Sequence, residues 1–84
     1  MKEIRINIKF FTLMREKTGE NERTVLFTEG STVNHIIIEL KRQYPKLVKM
    51  IDCSFIALNE EYTLPNTTLK DGDTMAIIPP VSGG

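Results

Sequence analysis

Apolar and polar residues alternate strictly near the start of the chain, from residue 4 to residue 10. The apolar side chains on one side of this segment are those of Ile4, Ile6, Ile8 and Phe10. This two-residue period predicts a strand with one buried face. The β-branched and aromatic run at residues 23–27 predicts a second strand. We expect the polar stretch at residues 15–21 to be a loop that joins the two strands as an antiparallel hairpin.

The next segment has the three-to-four-residue period of an amphipathic helix. Its apolar positions are Val33, Ile36, Ile37 and Leu40. Either Ser31 or Thr32 can supply a hydroxyl that accepts a hydrogen bond from the first turn, so we expect the helix to begin there. The helix must end before Pro45, which disfavours helical geometry in the preceding residue. A short helical turn is expected at residues 45–49.

Three further strands are predicted in the second half of the chain. The apolar run at residues 55–58 precedes a tight turn at residues 59–61 and a short partner strand that starts at Tyr62. A sharp turn around Asp71 and Gly72 leads into the last strand, at residues 75–78. Pro79 and Pro80 have no amide hydrogen, so the ladder of hydrogen bonds must stop there.

Taken together, these elements predict a small α+β domain with one main amphipathic helix on a mixed sheet of four to five strands. Their order along the chain is that of the β-grasp, the ubiquitin-like fold. The chain has 84 residues, which is room for a single core. We expect one domain at residues 1–80 and a flexible Gly-Gly tail at residues 81–84.

The composition argues against several classes of partner. Eleven basic and eleven acidic residues give a formal net charge of zero, so no summed field attracts nucleic acid or an anionic membrane surface. No apolar run approaches the roughly 20 residues that cross a bilayer. A single cysteine cannot form an internal disulfide, and the N-terminal segment lacks the apolar centre of a secretion signal. We therefore expect a cytoplasmic protein.

The side chains offer little material for catalysis. His35 and Cys53 are the single histidine and cysteine of the chain, and their spacing does not suggest a dyad. We interpret His35 as a polar residue of the helix surface and Cys53 as a small, buried or half-buried thiol. Zinc requires about three or four protein ligands, so no metal site is expected.

The C-terminal residues form the most unusual segment. Gly83 and Gly84 lack a Cβ atom, so their backbone can enter a channel too narrow for a side chain. Pro79 and Pro80 stiffen the base of the tail, which reduces the entropy lost when a partner captures it. A terminal Gly-Gly pair can also be an ordinary flexible end. In combination with the prolines, it predicts a partner-binding tail whose reactive group is the Gly84 carboxylate.

The sequence resembles the small subunit of molybdopterin synthase, a family of β-grasp sulfur carriers. The residues that carry the resemblance are Phe10-Phe11, Arg15-Glu16, Gly19, Asn59, Leu69, Asp71-Gly72-Asp73 and Pro79-Pro80-Val81-Ser82-Gly83-Gly84. The ending is the most diagnostic of these segments. Ile77 and Ile78 replace the two aromatic residues that usually precede it in the family, and they keep its apolar, strand-forming character.

The resemblance implies a sulfur carrier in molybdenum cofactor biosynthesis. An adenylyltransferase of the ubiquitin-activating type would use ATP to adenylate Gly84, and sulfur would then replace an oxygen to give a thiocarboxylate. The large subunit of molybdopterin synthase would bind the tail and direct the sulfur to cyclic pyranopterin monophosphate. The tail residues implied in this binding are Pro79, Pro80, Val81, Ser82 and Gly83. The resemblance places the catalytic side chains on the large subunit of a heterotetramer, and it implies no cofactor bound to this chain.

Three alternatives remain open. The sulfur carrier of thiamin thiazole synthesis shares the fold and the terminal glycines. However, proteins of that kind resemble a shorter form of this sequence that lacks the Pro79-Pro80 segment. A ubiquitin-like modifier would use the same tail to form isopeptide bonds with lysines. A binding domain with a loose tail is the plainest alternative.

Phe11 is a candidate interface residue outside the tail. It lies opposite the apolar face that ends at Phe10. We expect it either in an apolar patch near the tail or in a satellite core under the first loop.

Overall fold

The computed structural model describes residues 2–80, which form five strands and three α-helices. The strands are β1 (Glu3–Phe10), β2 (Glu22–Thr28), β3 (Phe55–Leu58), β4 (Glu61–Tyr62) and β5 (Thr74–Ile78). The helices are α1 (Thr12–Thr18), α2 (Val33–Gln43) and α3 (Val48–Asp52), and a 3₁₀ turn at Pro45–Leu47 precedes α3.

All five strands belong to one mixed sheet in the order β2-β1-β5-β3-β4. The central pair, β1 and β5, is parallel, whereas the other three pairs are antiparallel. This arrangement confirms the predicted α+β class and β-grasp architecture. It also makes the last strand a central one, so the residues after Ile78 leave from the middle of the sheet.

The core lies between one face of the sheet and the helices. The buried side chains that form it are Ile4, Ile6, Ile8, Phe10, Met14, Val33, Ile36, Leu40, Leu47, Ile51, Leu69, Met75 and Ile77. Every apolar residue predicted to face inward from the first strand is in this cluster. Alternate residues of the strands point away from the helices and form a second face of the sheet, which we call the outer face.

The connection between the first two strands differs from the prediction. It is the helix α1 and not a loop, although the strands do form the expected antiparallel pair. Met14 attaches this helix to the core, where its side chain is 1% exposed. Gly19 ends the helix with a φ of 77°, and its amide donates to the Arg15 carbonyl. A helix of seven residues is too short to show a clear apolar period.

The main helix begins where its sequence predicted. Thr32 is the N-cap residue of α2, and Nδ1 of His35 accepts a hydrogen bond from the Thr32 amide at 2.9 Å. His35 therefore acts as the reciprocal partner in a capping box, a position usually held by Glu or Gln. The predicted helical turn at residues 45–49 is also present, but it continues through α3 to Asp52.

The strand boundaries differ from the predictions by at most one residue, and β3 spans the predicted residues 55–58. β4 begins at Glu61 and not at Tyr62, and β5 begins at Thr74 and not at Met75. β5 ends at Ile78, directly before the two prolines, as predicted.

Candidate functional site

The base of the C-terminal tail is held between two neighbouring strands. Ile77 pairs with Phe10 of β1 on one side, and Ile78 pairs with Phe55 of β3 on the other. Pro79 follows as a buried residue, and Pro80 is exposed. The direction in which the chain leaves the sheet is therefore set by a buried proline next to a paired strand.

The outer face carries a shallow depression beside this exit point. Its floor contains Ala57 and Ala76, which are paired across β3 and β5 and are too small to fill the space above them. Phe11, Tyr62 and Ile78 contribute apolar walls to a volume of about 550 Å³. Apolar side chains thus surround a recess at the point where the tail begins.

Two exposed aromatic rings extend this surface along the hairpin of β3 and β4. The rings of Phe55 and Tyr62 lie 5.8 Å apart at an interplanar angle of 57°. Phe55 is 58% exposed and Tyr62 is 78% exposed. We call Phe11, Phe55, Tyr62, Ile78 and the two alanines the outer-face patch. Contiguous exposed apolar surface of this kind is typical of protein interaction sites.

Charged side chains lie at the margin of the depression. Lys9 and Glu60 line it along with the apolar residues. Glu60 is the second residue of the β3–β4 turn and has a φ of 71°, a value that favours glycine or asparagine. Asn59 precedes it with a φ of 52°. These two positive values fit a two-residue turn of the type that closes β-hairpins.

Asn59 connects this hairpin to the start of β5. Its side-chain amide donates to Asp73 at 2.9 Å, and its side-chain oxygen accepts from the Thr74 amide at 3.0 Å. The Asn59 backbone amide donates to the Thr74 carbonyl at 2.8 Å. The second Asp73 oxygen accepts from the Lys70 amide. This network fixes the relative position of the two strands that form the floor of the outer-face patch.

The ionisable side chains do not form a catalytic centre in the described part of the chain. His35 Nδ1 is occupied by the cap of α2, and Cys53 is an exposed thiol at the end of α3, more open than the sequence predicted. Within residues 2–80, no group of three or more His, Cys, Asp or Glu side chains is placed to hold a metal ion. None of the helices formed by these residues is long and apolar enough to cross a membrane.

One carboxylate has a clearly shifted pKa, and its role is structural. Hydrogen bonds from Arg42 and Gln43 lower the pKa of Glu39 from 4.5 to about 2. Two guanidinium nitrogens of Arg42 donate to this carboxylate, at 2.9 and 2.5 Å. The same contact raises the pKa of Arg42. Both residues lie on α2, where Arg42 is exposed and Glu39 is half-buried.

The structure places part of the predicted site. Pro79 and Pro80 stand at the end of β5, and Phe11 lies beside Ile78 in the outer-face patch with 41% of its surface exposed. Phe11 is not a member of the buried cluster, so it does not form the satellite core. The predicted residues Val81, Ser82, Gly83 and Gly84 lie outside the described residues, as does the predicted tail that they form.

Sequence reasoning did not identify Phe55, Tyr62, Ala57 and Ala76 as parts of a site. The signal was present in the alternation of β3, where Phe55 and Ala57 share one face and Ile56 and Leu58 the other. Four consecutive apolar residues concealed it, because such a run is equally consistent with a strand buried on both faces.

Comparisons with known proteins agree with this architecture. The sequence model of the ThiS family matches residues 8–84. The molybdopterin synthase sulfur carrier subunit of Arabidopsis thaliana is 38% identical over 81 residues, which cover 96% of this chain and 84% of that protein.

Solved structures of the same fold include proteins named for two different roles. A Pyrococcus furiosus protein assigned as molybdopterin converting factor subunit 1 is 29% identical with a TM-score of 0.84, over 93% of this chain and 99% of that one. SAMP1 from Haloferax volcanii is 25% identical with a TM-score of 0.84, over 95% of this chain and 99% of that one. The match to the family model and the identity to the curated relative show that the chain belongs to the ThiS family, among the molybdopterin synthase sulfur carrier subunits.

Proposed function

We propose that this chain is the sulfur carrier subunit of a molybdopterin synthase and that it carries sulfur on the carboxylate of Gly84. The observation that carries the proposal is the position of Pro79, a buried residue that follows a central strand and lies beside an exposed apolar patch. The name of the Arabidopsis thaliana relative, a molybdopterin synthase sulfur carrier subunit, supports the choice of pathway.

The proposed reaction begins at a carboxylate, which has no leaving group that sulfur can displace. A carboxylate oxygen of Gly84 attacks the α-phosphorus of ATP in an adenylyltransferase of the ubiquitin-activating type, and pyrophosphate leaves. A hydrosulfide ion supplied by a donor then attacks the acyl carbon, AMP leaves with the C–O bond electrons, and loss of the sulfur-bound proton gives the thiocarboxylate. This chain supplies the reacting group, and the adenylyltransferase and the large subunit of molybdopterin synthase supply the catalytic side chains. All of these steps belong to the cytoplasm in our proposal.

The length of the tail restricts where the partners must bind. Four residues, 81–84, span at most about 14 Å when fully extended. An active site that receives Gly84 must therefore lie close to Pro80, and the protein that contains it must contact the surface around Ile78. The outer-face patch occupies that surface. We propose that the large subunit of molybdopterin synthase docks on this patch while the tail enters its active site.

Two substitutions test the docking step. Tyr62→Ala removes a side chain that is 78% exposed and belongs to the patch, whereas Ile38→Ala removes one that is 56% exposed on α2. We expect Tyr62→Ala to weaken binding of the large subunit about tenfold or more, which corresponds to about 1.4 kcal/mol. The Ile38→Ala control should bind like the wild type. Equal affinities for all three proteins would contradict docking on the outer-face patch.

Intact mass spectrometry tests the carrier chemistry. After incubation with ATP, a sulfur donor and the activating enzyme, the chain should gain the mass difference between one sulfur and one oxygen atom. Gly83→Ala, or one residue added after Gly84, should abolish the gain without changing the fold, because each change obstructs a narrow channel and leaves the core intact. Loss of folding in either variant would contradict this separation of tail and core.

The likeness to SAMP1, a small archaeal modifier protein, favours one competing function. A modifier would become joined to lysines of other proteins through the same terminal carboxylate. Adducts on lysines in place of the sulfur mass gain would therefore support the modifier. An unchanged mass in the presence of an active enzyme would contradict the sulfur carrier.

A further inference from the structure

The outer edge of β2 is a second surface that can bind another chain, because no strand is paired with its backbone there within residues 2–80. β2 has seven residues and lies at one end of the sheet order, with β1 as its neighbour on the inner side. Its opposite edge has no strand paired to it within residues 2–80. The other edge of the sheet, β4, has only two residues. Long free edges are usually protected, because they offer a ready ladder of donors and acceptors to another chain.

The hydrogen-bond pattern shows which backbone groups are free. Phe10 donates to the Asn21 carbonyl and Glu29 donates to the Lys2 carbonyl. In an antiparallel pair these bonds recur at every second residue, so Arg23, Val25 and Phe27 bond to β1. The amides of the alternate residues face outward, and these residues are Glu22, Thr24, Leu26 and Thr28. The carbonyl groups of these four residues also face outward, and the Thr28 carbonyl already accepts a hydrogen bond from the Ser31 amide.

A groove runs beside this edge on the helix side of the sheet. Half-buried Val25 and Phe27 contribute its apolar lining, and Glu39 and Gln43 of α2 contribute its wall, around a volume of about 470 Å³. The position of the Arg23 side chain in the groove is restricted, because its guanidinium donates hydrogen bonds to Gln43 and Tyr44. An added strand would place alternate side chains in this groove, where apolar residues would contact Val25 and Phe27.

The β2 edge also lacks most of the features that prevent edge pairing, since its two charged residues, Glu22 and Arg23, lie together at one end. It contains no proline, its pairing with β1 is continuous from Glu22 to Thr28, and no lysine occurs in it. Leu26 is 59% exposed at its centre. An edge of this length that is free, regular and partly apolar binds either a second copy of this chain or a different protein.

The charges along the edge distinguish between these occupants. Glu22 is the first residue of β2 and Glu29 directly follows its last residue. Lys9 lies across from Glu22 in the β1–β2 pair, but neither glutamate belongs to an ion pair within residues 2–80. Glu39 adds a third carboxylate on the groove wall, and Arg42 is paired with it. A second copy of this chain would bring an identical set of carboxylates to the same junction, where like charges repel. Basic residues at the ends of an incoming segment would instead be attracted.

We propose that the outer edge of β2 binds an extended segment of a partner protein as an added strand, apolar in its middle and basic at its ends. This mode of recognition uses main-chain hydrogen bonds for affinity and the groove for selectivity. The edge is separated from the β3–β4 hairpin by β1 and β5, so it can be occupied while the tail is engaged elsewhere. The proposal goes beyond the carrier function and does not depend on it.

Two blocked seven-residue peptides provide the probes. Both have three valines alternating with two threonines, and one has a lysine at each end where the other has a glutamate. Titrated into the ¹⁵N-labelled chain, the lysine peptide should give saturable NMR shift changes at the amides of Glu22, Thr24, Leu26 and Thr28. It should bind at least about tenfold more tightly than the glutamate peptide.

Variants at Leu26 separate backbone from side-chain recognition. Leu26→Pro removes an outward amide without removing a β1–β2 hydrogen bond, and it should weaken binding at least about tenfold. Leu26→Ala keeps the amide and should bind within about threefold of the wild type. The double variant Glu22→Lys with Glu29→Lys leaves the backbone unchanged and should reverse the preference between the peptides. This reversal tests the proposal even when the proline variant does not fold.

Several results would overturn the proposal. One is shift changes centred on Tyr62 and Ala76, which would place the peptide on the outer-face patch. Another is the absence of any change at the β2 amides up to the solubility limit of both peptides. Concentration-dependent dimerisation through β2 in the absence of peptide would show that a second copy is the occupant, and sedimentation would detect it.

Discussion

Replacing Asn59 tests whether the hairpin network determines how the floor of the outer-face patch is held together. Asn59 has two separable roles. Its side chain links Asp73 and the Thr74 amide, at 2.9 and 3.0 Å, and its backbone occupies the left-handed region with a φ of 52°. Asn59→Ala removes both contributions, whereas Asn59→Gly removes the side-chain hydrogen bonds and keeps the backbone conformation accessible.

The expected magnitudes follow from these contacts. The hydrogen bond to the Asp73 carboxylate and the neutral bond from Thr74 together stabilise by about 1.5 kcal/mol, near the lower end of their range because water can reach the site. An alanine held at positive φ costs about 1 kcal/mol more. We therefore expect Asn59→Ala to lower the free energy of unfolding by about 2.5 kcal/mol, which is about 10 °C or more in Tm for a domain of this size. Asn59→Gly should lose about 2 kcal/mol, because glycine avoids the backbone strain but loses about 0.5 kcal/mol more entropy on folding.

Urea unfolding followed by far-ultraviolet circular dichroism measures both values. The slope of free energy against urea should stay the same, because the surface exposed on unfolding does not change. If the glycine variant is as unstable as the alanine variant, or less stable, the backbone part of the argument is wrong. A loss below about 0.5 kcal/mol in both variants would refute the role of the network, since ordinary surface substitutions have effects of that size.

Three further perturbations test other parts of the structure. Met14→Ala should lower the free energy of unfolding by about 3 kcal/mol, because this buried side chain attaches α1 to the core, whereas Leu13→Ala at an exposed position should lose far less in the same urea assay. Glu39→Gln should make unfolding less sensitive to acid. The pKa of Glu39 is lower in the folded state than in the unfolded state, so its carboxylate stabilises the wild type above pH 4.5, and this contribution is lost as the pH falls through about 2. If the variant and the wild type lose stability with acid to the same extent, the pairing of Glu39 with Arg42 is contradicted. Glu60→Gly should raise the free energy of unfolding by about 0.5 kcal/mol and so raise the urea midpoint slightly, because glycine relieves the left-handed strain at a φ of 71° but loses more entropy on folding. A lower midpoint would show that the Glu60 side chain stabilises the turn.

Much of the fold could be predicted from local patterns. β1 was readable because one of its faces is buried and the other is polar, which gives a clean two-residue period. α2 was readable because it combines an apolar stripe, an N-cap threonine and a following proline. In such elements the spacing of the apolar residues shows which face of the element is buried.

The connection α1 shows where this reasoning fails. Among the side chains of residues 13–18, Met14 alone is buried in the core, and one residue cannot establish a period. Gly19 and the basic residues near the end of α1 were signals of a helix C-terminus. They were interpreted as a turn, because the same residue types serve both purposes.

The candidate site was predictable only in part. The tail is visible in the sequence, because two prolines and two glycines have distinct conformational properties. The outer-face patch is not, because it combines Phe11, the β3–β4 hairpin and β5, which are distant in sequence and meet only through the strand order. The exposed state of Tyr62 and Phe55 depends on which face of the sheet the helices cover, and this is a property of the tertiary structure.

The central claim is that this chain delivers sulfur to cyclic pyranopterin monophosphate, which is thereby converted to molybdopterin. The most direct measurement is the amount of molybdopterin formed when the thiocarboxylated chain is mixed with the large subunit of molybdopterin synthase and cyclic pyranopterin monophosphate. Our account predicts one molybdopterin for every two carriers consumed, with the Gly84 carboxylate restored in each. Absence of product, with a large subunit that is active with another carrier, would contradict the account and leave thiazole synthesis or protein modification as the function of the tail.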